Sequence, residues 1–309
     1  MSYTGEFRAF ARRHGVSDDA VTRIMWTMQP SVHLDILDPS EVGPGDLVVG
    51  HTGGLPELPD GVPWDGDVYV AGLDLAAIPE QPLDLGLPRE GHLLFFADSD
   101  YEDGEPARVV HVPPGTGTDV RPAPSGVYSE DPSDTWTTDV LERRVLVCRT
   151  GTSWDVLDWL WDPDDDFDET EARMPDPEDP DVEDEVRPLL AAVAEYAERV
   201  GTIPFVHRDC GLRGVELNPP YYRADYGTDF LKKGEEAVVV CRNEPERFDE
   251  LYAEALRGAS EQDGGPWLNL LEFGEDEIFH TGDGEVGWLI NRDDLLAGRF
   301  DNVVQSYFC

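Results

Sequence analysis

The chain has 309 residues, 40% of them hydrophobic and 10% aromatic, which is long and apolar enough to bury a sizeable core and excludes a disordered chain. Sixty-six acidic residues against 23 basic ones give a net charge of −43, so phosphate backbones and anionic membranes are repelled. The expected partners are cations, a basic protein or a basic patch on an enzyme, with no direct nucleic-acid binding and no membrane. The absence of any apolar run of about 18 residues points the same way.

Residues 1–30 carry two helical patterns. Phe7, Phe10 and Ala11 share a face that ends at Gly15, and Ser17 caps a second run carrying Val21, Ile24, Met25 and Met28 up to Pro30, expected to pack on a sheet. From Asp46 the period changes to that of strands, at Leu47–Gly54 (ending in a glycine turn), Val68–Leu73, Gly91–Asp98 and Arg108–Val112, separated by turns and a polar tip at 99–105. Ser153–Trp161 reads as a helix. The stretch Asp162–Glu185 holds 14 acidic residues, one arginine and four prolines, and reads as an extended linker. Helices are expected from Pro188 to Gly201 and from Pro245 to Leu256, the latter ending near Gly258.

Comparing the chain with itself shows an internal match. Gly91–Asp98 aligns with Gly284–Asn291, Arg108–Val112 with Asn302–Ser306, and Val68–Leu75 loosely with Trp267–Gly274. The expected fold is α+β: a duplicated β-rich unit forming antiparallel sheets, with N-terminal helices and a few packing helices. The expected organisation is an N-terminal helical segment (1–40), a first repeat (41–161), the acidic linker (162–187) and a second repeat (188–309), together forming one globule.

Chemistry is sparse. An EF-hand frame from Asp162 puts Arg173 at its twelfth position, and one from Asp164 puts Pro175 there, so neither supplies the required glutamate. No glycine-rich phosphate loop or nucleophile elbow is present, and neither a cofactor nor a metal is expected. His207, Arg208, Asp209 and Cys210 bring an imidazole, a guanidinium, a carboxylate and a thiol within four residues. With His280, they are candidates for a groove between the two repeats that would hold a small ligand or metal, or act as a hydrolase. His51 and His111 lie within strand patterns, where a hydrogen-bonded structural histidine is the expected role. Cys148, Cys210, Cys241 and Cys309 have no pairing pattern, and the N-terminus has no leader, so a cytoplasmic protein with free thiols is expected.

Two pairs of segments resemble the YwqG-like bacterial family, a group of unknown function. They are Gly50-His-Thr-Gly-Gly-Leu-Pro-Glu-Leu-Pro-Asp-Gly-Val-Pro-Trp64 with Gly91-His-Leu-Leu-Phe-Phe96, and Gly282-Asp-Gly-Glu-Val-Gly-Trp-Leu-Ile290 with Phe300-Asp-Asn-Val-Val-Gln305. The resemblance implies an α+β fold and a bacterial origin, and brings no activity. Trp64 at the end of the stiff proline loop, and Gln305, join the groove candidates, although the loop equally suits a plug for the core. The favoured function is a non-enzymatic, immunity-like binder of a basic protein; oligomeric state stays open.

Overall fold

The computed structural model describes residues 3–27, 29–64, 66–79, 87–97, 106–125, 127, 140–154, 187–200, 203–206, 211–213, 215–216, 224–263, 267–274 and 285–308. The acidic linker and the tip at 99–105 lie outside them. The fold is α+β, with six helices and three sheets among the described residues. Contacts divide the chain into two units that do not follow linear boundaries. The first comprises Met1–Ser31, Thr150–Asp209 and Arg223–Pro266, the second Val32–Arg149, Cys210–Tyr222 and Trp267–Cys309.

The first unit is built mainly of helices: α1 (Tyr3–Arg13), α2 (Asp18–Thr27), α3 (Arg187–Val200), α4 (Ala224–Cys241) and α5 (Phe248–Asp263). Gly15, at φ 83°, ends α1, and the Ser17 hydroxyl accepts from the Ala20 amide at 3.2 Å to cap α2. Phe7 and Phe10 of α1 meet the Tyr196 ring of α3 edge-on, at 5.4 and 5.6 Å. The partner of α2 is another helix rather than the expected sheet. Trp26 lies against Gly234 of α4 and meets Tyr252 of α5 edge-on at 5.3 Å. Ion pairs Arg23–Glu235 and Arg242–Asp19 tie the α2 and α4 faces together.

Two helix readings change. Gly258 lies inside α5, which runs to Asp263. Ser153 is a strand residue, because β8 (Arg144–Trp154) continues through it and its end pairs in parallel with β9 (Ile203–Val206). Residues 155–161 of that expected helix lie outside the described residues.

The second unit is built on sheets. The strands β1 (Gln29–Leu37), β2 (Val48–Thr52), β4 (Val68–Asp74), β5 (His92–Ala97), β6 (Arg108–Val112) and β10 (Gly211–Arg213) join β8 in the order β10-β1-β8-β2-β4-β5-β6. A second sheet runs β11 (Val215–Glu216), β12 (Trp267–Gly274), β13 (Glu285–Asn291), β14 (Val304–Phe308). A short ribbon pairs β3 (Glu57–Pro59) with β7 (Thr118–Val120). The core is shared by both large sheets. Trp288 is fully buried, meets Phe95 at 5.5 Å, and donates its indole N–H to the Phe96 carbonyl at 2.9 Å. The helix α6 (Arg292–Leu296) follows, its Asp293 amide bonded at 2.9 Å to the side-chain oxygen of Asn291.

The segments matched in sequence form the same motif. Both β4-β5-β6 and β12-β13-β14 are antiparallel three-stranded meanders. Each first strand carries a bulge, between Tyr69 and Ala71 in one and between Asn269 and Leu271 in the other. With Gly91–Asp98 set on Gly284–Asn291, the strand registers make Tyr69 the equivalent of Asn269, and the two bulges coincide. The outer strands slip by one residue at β4 and by two at β6 relative to the sequence match, the latter where a helix (Arg292–Leu296) stands between β13 and β14. The two meanders meet at one corner, where Pro106 bridges Val304 and the Ala107 amide donates to the Val303 carbonyl.

Candidate functional site

The expected site residues fall into two groups. His207, Arg208, Asp209, Cys210 and His280 lie outside the described residues. Trp64 and Gln305 are described, and both are buried. Trp64 donates its indole N–H to the Asp67 carbonyl at 2.7 Å and meets Phe96 edge-on at 6.3 Å, within the core of the second unit. That is the plug geometry. Gln305 sits opposite Trp288 in the β13–β14 register and is 2% exposed.

The segment that carries the N-terminal motif builds a different site. Gly50 of β2 stands opposite Leu73 of β4, and a Cβ there would lie 2.1 Å from the Gly72 carbonyl oxygen, so only glycine lets the two backbones approach. Next along β2, His51 pairs with Gly72. In a regular strand Tyr69 and Gly72, three residues apart, would point to opposite faces; the β4 bulge puts them on the same one. The phenol reaches across the bare Gly72, and its oxygen lies 3.1 Å from His51 Nε2. An alanine Cβ at position 72 would come within 2.7 Å of that oxygen. At the end of β2, Gly53 and Gly54 adopt φ of 63° and 75°, and the Arg143 side chain lies along Gly54.

The electrostatics fix the protonation of the pair. Burial, reinforced by the positive charges of Arg143 and His92, pushes His51 down to about 4, so the imidazole is neutral near pH 7. Burial also pushes the Tyr69 phenol well above its usual value, so it keeps its proton. The result is a neutral donor–acceptor pair, suited to holding the loop or a polar ligand and poorly suited to proton transfer at neutral pH. Nucleophilic chemistry is no better served. Burial pushes the Cys148 thiol up to about 12, and Cys241, also buried and free, is raised for the same reason. Among the described residues no group of three His, Cys, Asp or Glu side chains is placed to hold a metal ion.

The sequence identified His51 as a structural histidine but missed its partner. No residue signal marks that partner, because Tyr69 stands three residues before Gly72 and only a bulge brings the two to one face. His111, by contrast, leaves its Nε2 buried without a hydrogen bond and packs on Phe300 at 5.2 Å.

Fold and site together define a mixed α+β protein whose second unit packs two meander sheets around one core, with its motif glycines used for backbone approach. Residues 51–309 match the family model described as a domain of unknown function (DUF1963), and the chain belongs to that family. No curated protein matches the chain. Among the described residues no helix is long and apolar enough to cross a membrane.

Proposed function

We propose that this is a non-enzymatic binding protein that recognises a basic protein partner by charge, in the manner of an immunity protein, and works in the cytoplasm. The observation that carries this reading is the charge: −43 overall, with arginines engaged internally. Arg12, Arg13, Arg23, Arg121, Arg149, Arg242, Arg247 and Arg299 each pair with a carboxylate of the same chain. Those cations are therefore spent on local pairs and the surplus carboxylates set the outward field. Such a field steers a basic partner and repels nucleic acid. Free thiols at Cys148 and Cys241 agree with a reducing compartment. The matching bulges support descent from a duplicated β unit.

The test is capture on the immobilised full chain, followed by kinetics. The expected partner has a pI above about 9 and binds one to one, and its association rate falls at least about tenfold between roughly 20 and 200 mM salt. Recovery of no basic protein, a partner indifferent to salt, or a partner displaced by polylysine without a defined stoichiometry overturns the reading.

A further inference from the structure

The two N-terminal helices carry a charge balance opposite to that of the rest of the chain. Residues 1–31 hold four arginines against three acidic residues, a net +1, and leave 19 basic and 63 acidic residues, a net −44, to positions 32–309. Covalently the segment is attached where α2 stops at Thr27 and β1 begins at Gln29. It contains no cysteine. Toward α3, α4 and α5, which come far later in the chain, it is therefore held by packing and ion pairs alone.

The contacts combine aromatic anchors with arginines. Phe7, Ile24 and Trp26 are at most 2% exposed, and the Trp26 indole lies between α4 and α5. Around this apolar strip, Glu195 of α3 accepts from Arg13 at 2.8 Å and meets His14 at 2.5 Å. Glu235 of α4 accepts from Arg23 Nε and Nη2 at 2.5 and 2.8 Å. Asp19 completes the rim by accepting from Arg242 at 2.7 Å. A buried aromatic centre with a rim of exposed charge pairs is the anatomy of an interface between proteins, where Trp, Tyr and Arg are the usual anchors. The helices α3, α4 and α5 thus form a cradle suited to helices that bear aromatics on one face and arginines beside it. Within the chain, α1–α2 is that ligand.

We propose that this cradle is the docking surface for a basic amphipathic helix of the protein partner, and that α1–α2 is an autoinhibitory segment that occupies it until displaced. The proposal rests on the reading of a basic protein partner given above and adds where that partner sits. Replacement of like by like makes the displacement feasible, because the incoming helix restores the same burial and the same ion pairs. Salt acts on the two parts with opposite sign. It relieves repulsion within the acidic body and stabilises it. It also screens the attraction between the +1 segment and the −44 body and weakens the exposed pairs at their rim. Docking of α1–α2 therefore loosens under the conditions that tighten the strands.

Hydrogen exchange of the full native chain reads the segment directly. Between about 20 and 500 mM sodium chloride at fixed pH, the amides of α1 and α2 are expected to exchange at least about threefold faster, while those of β4 and β5 slow. A labelled peptide of residues 1–28 serves as the probe for docking. In the full-length double variant Arg13→Glu/Arg23→Glu, like charges face Glu195 and Glu235, so the chain's own segment is loosened. That variant is expected to bind the peptide one to one and at least about tenfold more tightly than the native chain does. The peptide is also expected to displace a partner captured on the native chain, and a scrambled peptide of the same composition to do neither. Exchange of α1–α2 that slows with salt along with β4 and β5 overturns the proposal, as does a double variant that binds no peptide. Equal action of the scrambled peptide, or a captured partner that the peptide leaves in place, overturns it too. Because the probe is the chain's own sequence, its binding is independent of the capture experiment, and failure of the partner reading is told apart from failure of the cradle.

Discussion

At the scale of single residues, burial decides protonation, and His51 shows it most clearly. Its pKa in the folded protein, about 4, lies below the ordinary value of 6.5. Stability from the buried neutral imidazole is therefore complete above pH 6.5 and is lost as pH falls from there toward 4. After allowance for its partial exposure, the loss is on the order of 2 kcal/mol. His51→Gln keeps a polar group beside Tyr69 and cannot charge. Urea denaturation at pH 7 and pH 4.5 should show a smaller drop in stability for that variant than for the native chain. Equal drops would remove His51 from the account. The Tyr69 bond itself was not legible in the sequence, because strand alternation places Tyr69 and Gly72 on opposite faces and the bulge that reverses this leaves no residue signature.

At the scale of elements, glycines mark where two backbones or a backbone and a ring come close, and they differ in what they tolerate. Gly234 and Gly258 are both helical, so alanine gains about 0.5–1 kcal/mol of helix propensity at either. Their surroundings differ. A Cβ on Gly234 would meet Trp26 at 2.9–3.1 Å, and that indole is wedged between α4 and α5 with 2% exposure. A Cβ on Gly258 would meet only Lys233 Nζ, the free end of a flexible side chain. Gly234→Ala should therefore destabilise by about 1–3 kcal/mol despite its propensity gain, through overpacking. By contrast, Gly258→Ala should be neutral or stabilising by up to about 1 kcal/mol. Thermal unfolding of the two variants side by side checks the pair, and a loss in both would mean Lys233 is fixed in place. The sequence read Gly258 as a helix end because glycine often is one, and missed α4 because its apolar positions flank a Lys-Lys-Gly-Glu-Glu run that reads as polar.

On the scale of the whole molecule, charge is the dominant property. Surface ion pairs such as Arg12–Asp18 and Arg242–Asp19 each add little, because exposed pairs are screened by water. What remains is self-repulsion among the surplus carboxylates, which opposes the compact state. Raising ionic strength from about 10 to 500 mM shortens the screening length from roughly 30 Å to under 5 Å, so Tm should rise steadily with any salt, choline included. A Tm that is flat or falls over that range would show that the carboxylates are neutralised by other means.

Composition, periodicity and self-comparison determined the α+β class, the first two helices with the Ser17 cap, the strands of both meanders, and their kinship. These depend on local propensity and on repeated patterns that neighbouring residues carry themselves. The tertiary structure alone decided the rest: that α2 packs on a helix, that Ser153 lies in a strand, that Trp64 plugs the core, and that two bulges aim Tyr69 at His51 and Asn269 at Glu272. Each depends on which distant segment arrives at a given face. A one-residue irregularity in a strand reverses that face without changing the composition from which a pattern is read.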